Sequence, residues 1–165
     1  MTDTTDTTTD GATVSISDLE ARLGRSLQPY YPQAFNGHPA MDLRQVAEGL
    51  AREVEAGSSA AIRDACLFIR EDPKLAFGLV IKSRLAIALR QHAERLNELD
   101  RRHVAERLTE ILSRSYVPSE AEDYSRLIGQ LGGHDLAYVL EHAQPQAEKA
   151  RKLLVRLRTD AARHA

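Results

Sequence analysis

The stretch from Pro73 to Leu96 constrains the fold more than any other part of the chain, because it has no clear polar face. Written as a helix, Leu75, Ala76, Phe77, Leu79, Val80, Ile81, Leu85, Ala86, Ile87, Ala88 and Leu89 point in all directions. A helix that is apolar all round is one that its neighbours surround. The segment therefore predicts a helix packed among others. Lys82-Ser83-Arg84 interrupts it, and cations in a buried segment need partners. Either the helix breaks near Ser83, or Lys82 snorkels outward while Arg84 pairs with a carboxylate such as Asp64 or Asp123, or one of the two reaches into a cleft.

Helix punctuation surrounds this segment. Ser17 with Glu20 reads as a capping box for a short helix stopped by Gly24. Asp42 is placed to cap a helix whose Leu43, Val46, Ala47, Leu50, Ala51 and Val54 repeat at a period near 3.6, ended by Gly57. Ser58 or Ser59 starts the next, with Ile62, Ala65, Cys66 and Ile69 inward. Asp72-Pro73 then closes that helix and opens the central one, which runs to about Asn97. Asp100 is the expected cap of a helix carrying Val104, Leu108, Ile111 and Leu112. Ser119 with Glu122 forms a further capping box, Gly132-Gly133 a stop, and Gln144-Pro145 the start of the last helix.

Ala, Leu, Arg and Glu dominate the chain, and all are good helix formers. Helices joined by two to five residues run antiparallel and touch. The expected fold is all-α, with seven to eight helices as consecutive antiparallel hairpins: 42–56 with 58–71, 73–96 with 100–114, and 119–131 with 134–143, capped by 145–163. The outline resembles the hairpin stacking of HEAT-type solenoids, although no segment repeats a signature at a fixed period. An irregular bundle fits the same pattern. Residues 1–16, rich in Thr and Asp, read as a disordered acidic tail, and residues 17–165 as one helical domain.

Composition excludes several function classes. One cysteine, Cys66, permits no internal disulfide and lies mid-helix, where no helix N-terminus supports a thiolate. The start of the chain has neither a basic region nor an apolar run, and the longest apolar run is too short to cross a bilayer, so a cytoplasmic protein without membrane contact is expected. The six histidines form no metal-ligand spacing, and no phosphate loop, dinucleotide turn or nucleophile elbow is present. No metal or cofactor is expected, and catalysis less so than binding.

Three sets of residues remain as binding candidates. Lys82 and Arg84 are the candidate anion site, Arg being suited to carboxylate or phosphate. The last helix carries Lys149, Lys152, Arg156 and Arg163 at helical spacing, and residues 145–165 hold six bases against two acids. Such a face suits nucleic-acid phosphates or an acidic partner, though no aromatic lies on it for base stacking. Tyr30, Tyr31 and Phe35 lie in the Pro-rich segment 27–40, either as a recognition surface or as a strap over the core. Acidic and basic helices alternate along the chain, which also permits mutual neutralisation. The sequence thus favours a non-enzymatic interaction or adaptor module that binds a protein partner or itself. The alternative is a nucleic-acid-binding or transcription-linked regulator using the basic last helix.

Overall fold

A computed structural model describes residues 15–31, 39–73 and 78–165. Most of the acidic tail and Phe35 of the strap lie outside the described residues. The described chain is all-helical: α1 (Ile16–Leu23), α2 (Pro39–Glu55), α3 (Ser59–Glu71), α4 (Gly78–Gln91), α5 (Glu98–Leu112), α6 (Ala121–Leu131), α7 (Gly133–His142) and α8 (Glu148–His164). Short 3-10 turns at Gln28–Tyr30 and Ala93–Arg95 link α1 to α2 and α4 to α5.

The helices pack in a bundle built from two rows. In one row α2 lies against α4, α4 against α6 and α6 against α8. In the other α3 lies against α5 and α5 against α7. The hairpins α2–α3, α5–α6, α6–α7 and α7–α8 hold the rows together, and α1 with the first 3-10 turn covers the end near α2 and α3. Short antiparallel connections make alternate helices parallel, so helices of one row present the same end to the same side. Buried side chains from all eight helices form one continuous core, from Leu19 in α1 through Leu50, Ile62, Leu85, Leu108, Leu127 and Val139 to Leu154 in α8. Among the described residues no helix is long and apolar enough to cross a membrane.

Several boundaries differ from the sequence reading. Ser15, not Ser17, caps α1, and Asp18 completes the box, because both side chains then meet each other's backbone N–H at 3.1 Å. Glu20 instead accepts from the Leu27 N–H at 2.7 Å and ties down the segment after the helix. Asn97 caps α5, with Asp100 as its box partner. The Ser119–Glu122 box does not form: the chain turns through Pro118 and Glu120 occupies the cap position without a side-chain capping bond. The last helix begins three residues late, since Gln144 N–H and the Gln146 side chain both bond to Ser113.

The central segment departs most from expectation. Asp72 ends α3 in a left-handed conformation (φ 45°) rather than the extended one expected of an N-cap before proline, while residues 74–77, where the central helix was expected to open, lie outside the described residues. Helix α4 runs unbroken through Lys82-Ser83-Arg84, so the helix does not break at Ser83, and it ends at Gln91 rather than near Asn97. Its neighbours do not surround it. In a two-row stack each helix keeps an outer face, and on α4 that face exposes Val80 (74%) and Ile87 (45%).

Candidate functional site

Lys82 and Arg84, the candidate anion pair, each hold a carboxylate already. Lys82 Nζ lies 2.7 Å from Asp72 Oδ1, and Asp72 Oδ2 accepts from Arg107 as well. Arg107 also bonds Glu110, which with Glu106 holds Arg70, so charges of alternating sign run across α3, α4 and α5. Arg84 forms a bidentate pair with Glu55, at 2.7 and 3.0 Å. The hydrogen bonds from Arg84 hold the Glu55 carboxyl below its usual value and raise the guanidinium in turn. The expected partners of Arg84 are engaged elsewhere: Asp64 is buried under Tyr30 and Arg25, and Asp123 meets Arg126. With its charge compensated in this way, neither Lys82 nor Arg84 is left to attract a free anion.

The strap aromatics divide. Tyr30 is buried, and its hydroxyl donates to Asp64, which also takes Arg25 Nη1 at 2.5 Å. Burial and then the Asp64 hydrogen bond push the Tyr30 phenol far above its usual range, so it stays a donor. Tyr31 packs partly buried at the edge of the core. Tyr30 pins the strap to α3, while Tyr31 keeps part of its side chain exposed. Cys66 is fully buried, and desolvation pushes its thiol well up, as a structural cysteine requires.

The basic last helix splits into two groups. Lys149 approaches Glu122 at 3.7 Å and the Pro118 carbonyl at 3.4 Å, and Lys152 pairs with Glu148 on the exposed surface. Arg156 and Arg163 lie further along the same face of α8, where they line an open cavity of about 600 Å³ shared with α4 and α6. There they meet Arg90 from the last turn of α4 and Arg126 from α6. Four guanidiniums from three helices of one row thus line a single groove, with Asp160 as the acid among them.

Local structure explains the convergence. The C-terminal halves of α4, α6 and α8 lie side by side, and their carbonyl ends favour cations. Gln130 Nε2 donates to the Arg90 carbonyl at 3.2 Å, and His164 Nε2 donates to the Gly129 carbonyl at 3.0 Å, which fastens the three ends together. Gly129 faces the Asp160 side chain of α8: a Cβ there would lie 2.5 Å from Oδ2, the movable end of that side chain. Arg126 and Arg163 have loose acidic partners, Asp123 at 3.4 Å and Asp160 at 3.5 Å on their own helices. Arg90 and Arg156 meet no carboxylate among the described residues, and the buried Arg90 Nε has no hydrogen-bond partner. Two unneutralised guanidiniums beside two weakly held ones make this a site for carboxylate or phosphate oxygens.

Arg90 and Arg126 are the members that reading the sequence helix by helix misses. The signal that finds them is row parity: once alternate helices are known to be parallel, basic residues in the second halves of α4, α6 and α8 must meet. No known protein family, curated protein or solved structure matches this chain.

Proposed function

We propose that the chain is a non-enzymatic interaction module that binds an acidic segment of a partner protein in the groove of Arg90, Arg126, Arg156 and Arg163. The observation that carries this reading is the convergence of four arginines from α4, α6 and α8 on one cavity, two of them without a carboxylate. A groove of about 600 Å³ suits a short stretch of carboxylate side chains, whose bidentate pairing with arginine supplies orientation as well as charge. Among the described residues no Phe, Tyr or Trp lines the groove to stack a base, and the one ring lining it, His164, is held on the Gly129 carbonyl. The test is competition: a labelled poly-glutamate peptide bound to the protein should be displaced by unlabelled peptide at lower concentration than by a single-stranded oligonucleotide with as many charges. Preferential displacement by the oligonucleotide overturns the reading.

A nucleic-acid partner is the second proposal, and one observation favours it. Arg151, Lys152 and Arg158 are exposed on the outer side of α8, so basic surface continues beyond the groove. Such binding would track phosphates without reading bases and would weaken steeply with salt. It would be lost when Arg151, Lys152 and Arg158 become Glu, whereas peptide binding in the groove would survive that change.

A further inference from the structure

A second cavity, also about 600 Å³, opens between the end of α5 and the start of α6, at the other end of α6 from the arginine groove and sharing no lining residue with it. Asp72, Arg114, Tyr116, Pro118, Glu120 and Gln146 line it. Glu120 sets it apart. The residue is 4% exposed, its Oε2 is buried without a hydrogen-bond partner, and no cation pairs with it among the described residues. A buried carboxylate is normally paired or hydrogen-bonded, because desolvation otherwise penalises its charge. Here the cap position at the start of the eleven-residue α6 supplies part of the compensation through the helix dipole. It supplies no donor to the side chain.

The surroundings define what would complete the site. Asp72 is already shared by Lys82 and Arg107, so Glu120 is the cavity's unpaired acid. The Tyr124 hydroxyl and Arg107 Nε, both buried, also lack partners. Burial, reinforced by Asp72 and Glu120, raises the Tyr124 phenol so that it remains protonated and neutral. Tyr116 stands at the rim with its side chain largely exposed, and Pro118 forms an apolar wall. An exposed ring beside an unpaired carboxylate suits an alkylammonium group, which uses N–H donors at one and attraction to the π-face at the other. Arg114, exposed on the same rim without an acidic partner among the described residues, gives a carboxylate on the ligand somewhere to bind.

We infer that this cavity binds a small organic molecule with a primary ammonium group, the ammonium on Glu120 and the carbon chain against Tyr116 and Pro118. Arg114 favours ligands that also carry a carboxylate. The experiment is an amide chemical-shift titration of the full chain with butylammonium, 4-aminobutanoate and butyrate as probes. Saturable shifts around Tyr116, Glu120 and Gln146 are expected for both amines, stronger for 4-aminobutanoate, and none for butyrate. Glu120→Gln should weaken amine binding by about tenfold or more, while the unliganded variant melts no lower than the parent, because an unpaired buried charge has been removed. Tyr116→Ala, at an exposed position, should fold normally and weaken binding several-fold. The inference is overturned if neither amine binds saturably at millimolar concentration, or if Glu120→Gln binds as well as the parent. Should Glu120→Gln not fold, unchanged binding by Tyr116→Ala overturns it.

Discussion

Two glycines lie inside helices, Gly49 in α2 and Gly129 in α6, and replacing each with alanine should have opposite consequences. By helix propensity alone each change would gain about 1 kcal/mol. At Gly49 the new Cβ overlaps the backbone carbonyl of Tyr30, which cannot move without lifting the 3-10 turn off α2. Lifting that turn exposes Leu27 and Tyr30, now 0% and 6% exposed, and breaks the hydrogen bond from Tyr30 to buried Asp64. Partial re-exposure of two such side chains costs about 3–5 kcal/mol. The net loss for Gly49→Ala is therefore about 2–4 kcal/mol, a fall in melting temperature of roughly 6–12 °C for a chain of this size. At Gly129 the Cβ meets only the end of the Asp160 side chain, which can rotate away, so Gly129→Ala should match or exceed the parent. Thermal and urea denaturation followed by circular dichroism measure both. A Gly49→Ala protein as stable as the parent would refute the docking of the turn on α2.

Asp72→Asn keeps a residue that tolerates the left-handed cap conformation but removes the charge shared by Lys82 and Arg107, whose side chains are only 13% and 9% exposed. Urea denaturation should show a loss of about 3 kcal/mol, and a loss near zero would mean that the cations do not depend on Asp72. The Glu55–Arg84 pair predicts a pH dependence. The Glu55 carboxyl is lowered in the folded chain, so its contribution is fully present above its ordinary value of 4.5 and fades as pH falls through the folded value. Both side chains are more than a third exposed, and solvent screening limits the pair to about 0.5–1 kcal/mol. Glu55→Gln should accordingly melt below the parent near neutral pH and alike in strong acid; a gap that widened in acid would contradict the pairing.

The helices were legible because apolar periodicity and Gly or Pro punctuation agree along most of the chain. The caps were less so. Near Ser15, Ser17 and Asp18, or Asn97 and Asp100, the sequence offers two residues of capping type within one turn, and only backbone geometry decides which accepts and which completes the box. The surroundings of α4 were misjudged because apolar character does not tell a buried face from an outer face of a row. The partner of Arg84 was unreadable for a similar reason: Asp64 looked available until Tyr30 and Arg25 were seen to occupy it. Half of the arginine groove was visible as Arg156 and Arg163 on the last helix. The other half depends on contacts between α4, α6 and α8, which are separated in sequence by whole helices, and no local pattern records them.

The most direct test of the central claim is the affinity of a labelled poly-glutamate peptide for the parent and for Arg90→Gln/Arg156→Glu, measured by fluorescence anisotropy over a range of salt. Arg90→Gln preserves much of the stem that packs at the end of α4, and circular dichroism checks that the double variant folds. If the groove holds acidic segments, parent binding weakens as salt rises, and the variant binds about tenfold or more weakly at low salt with a flatter salt dependence. Equal affinity and equal salt dependence for the two proteins would contradict the assignment of the groove.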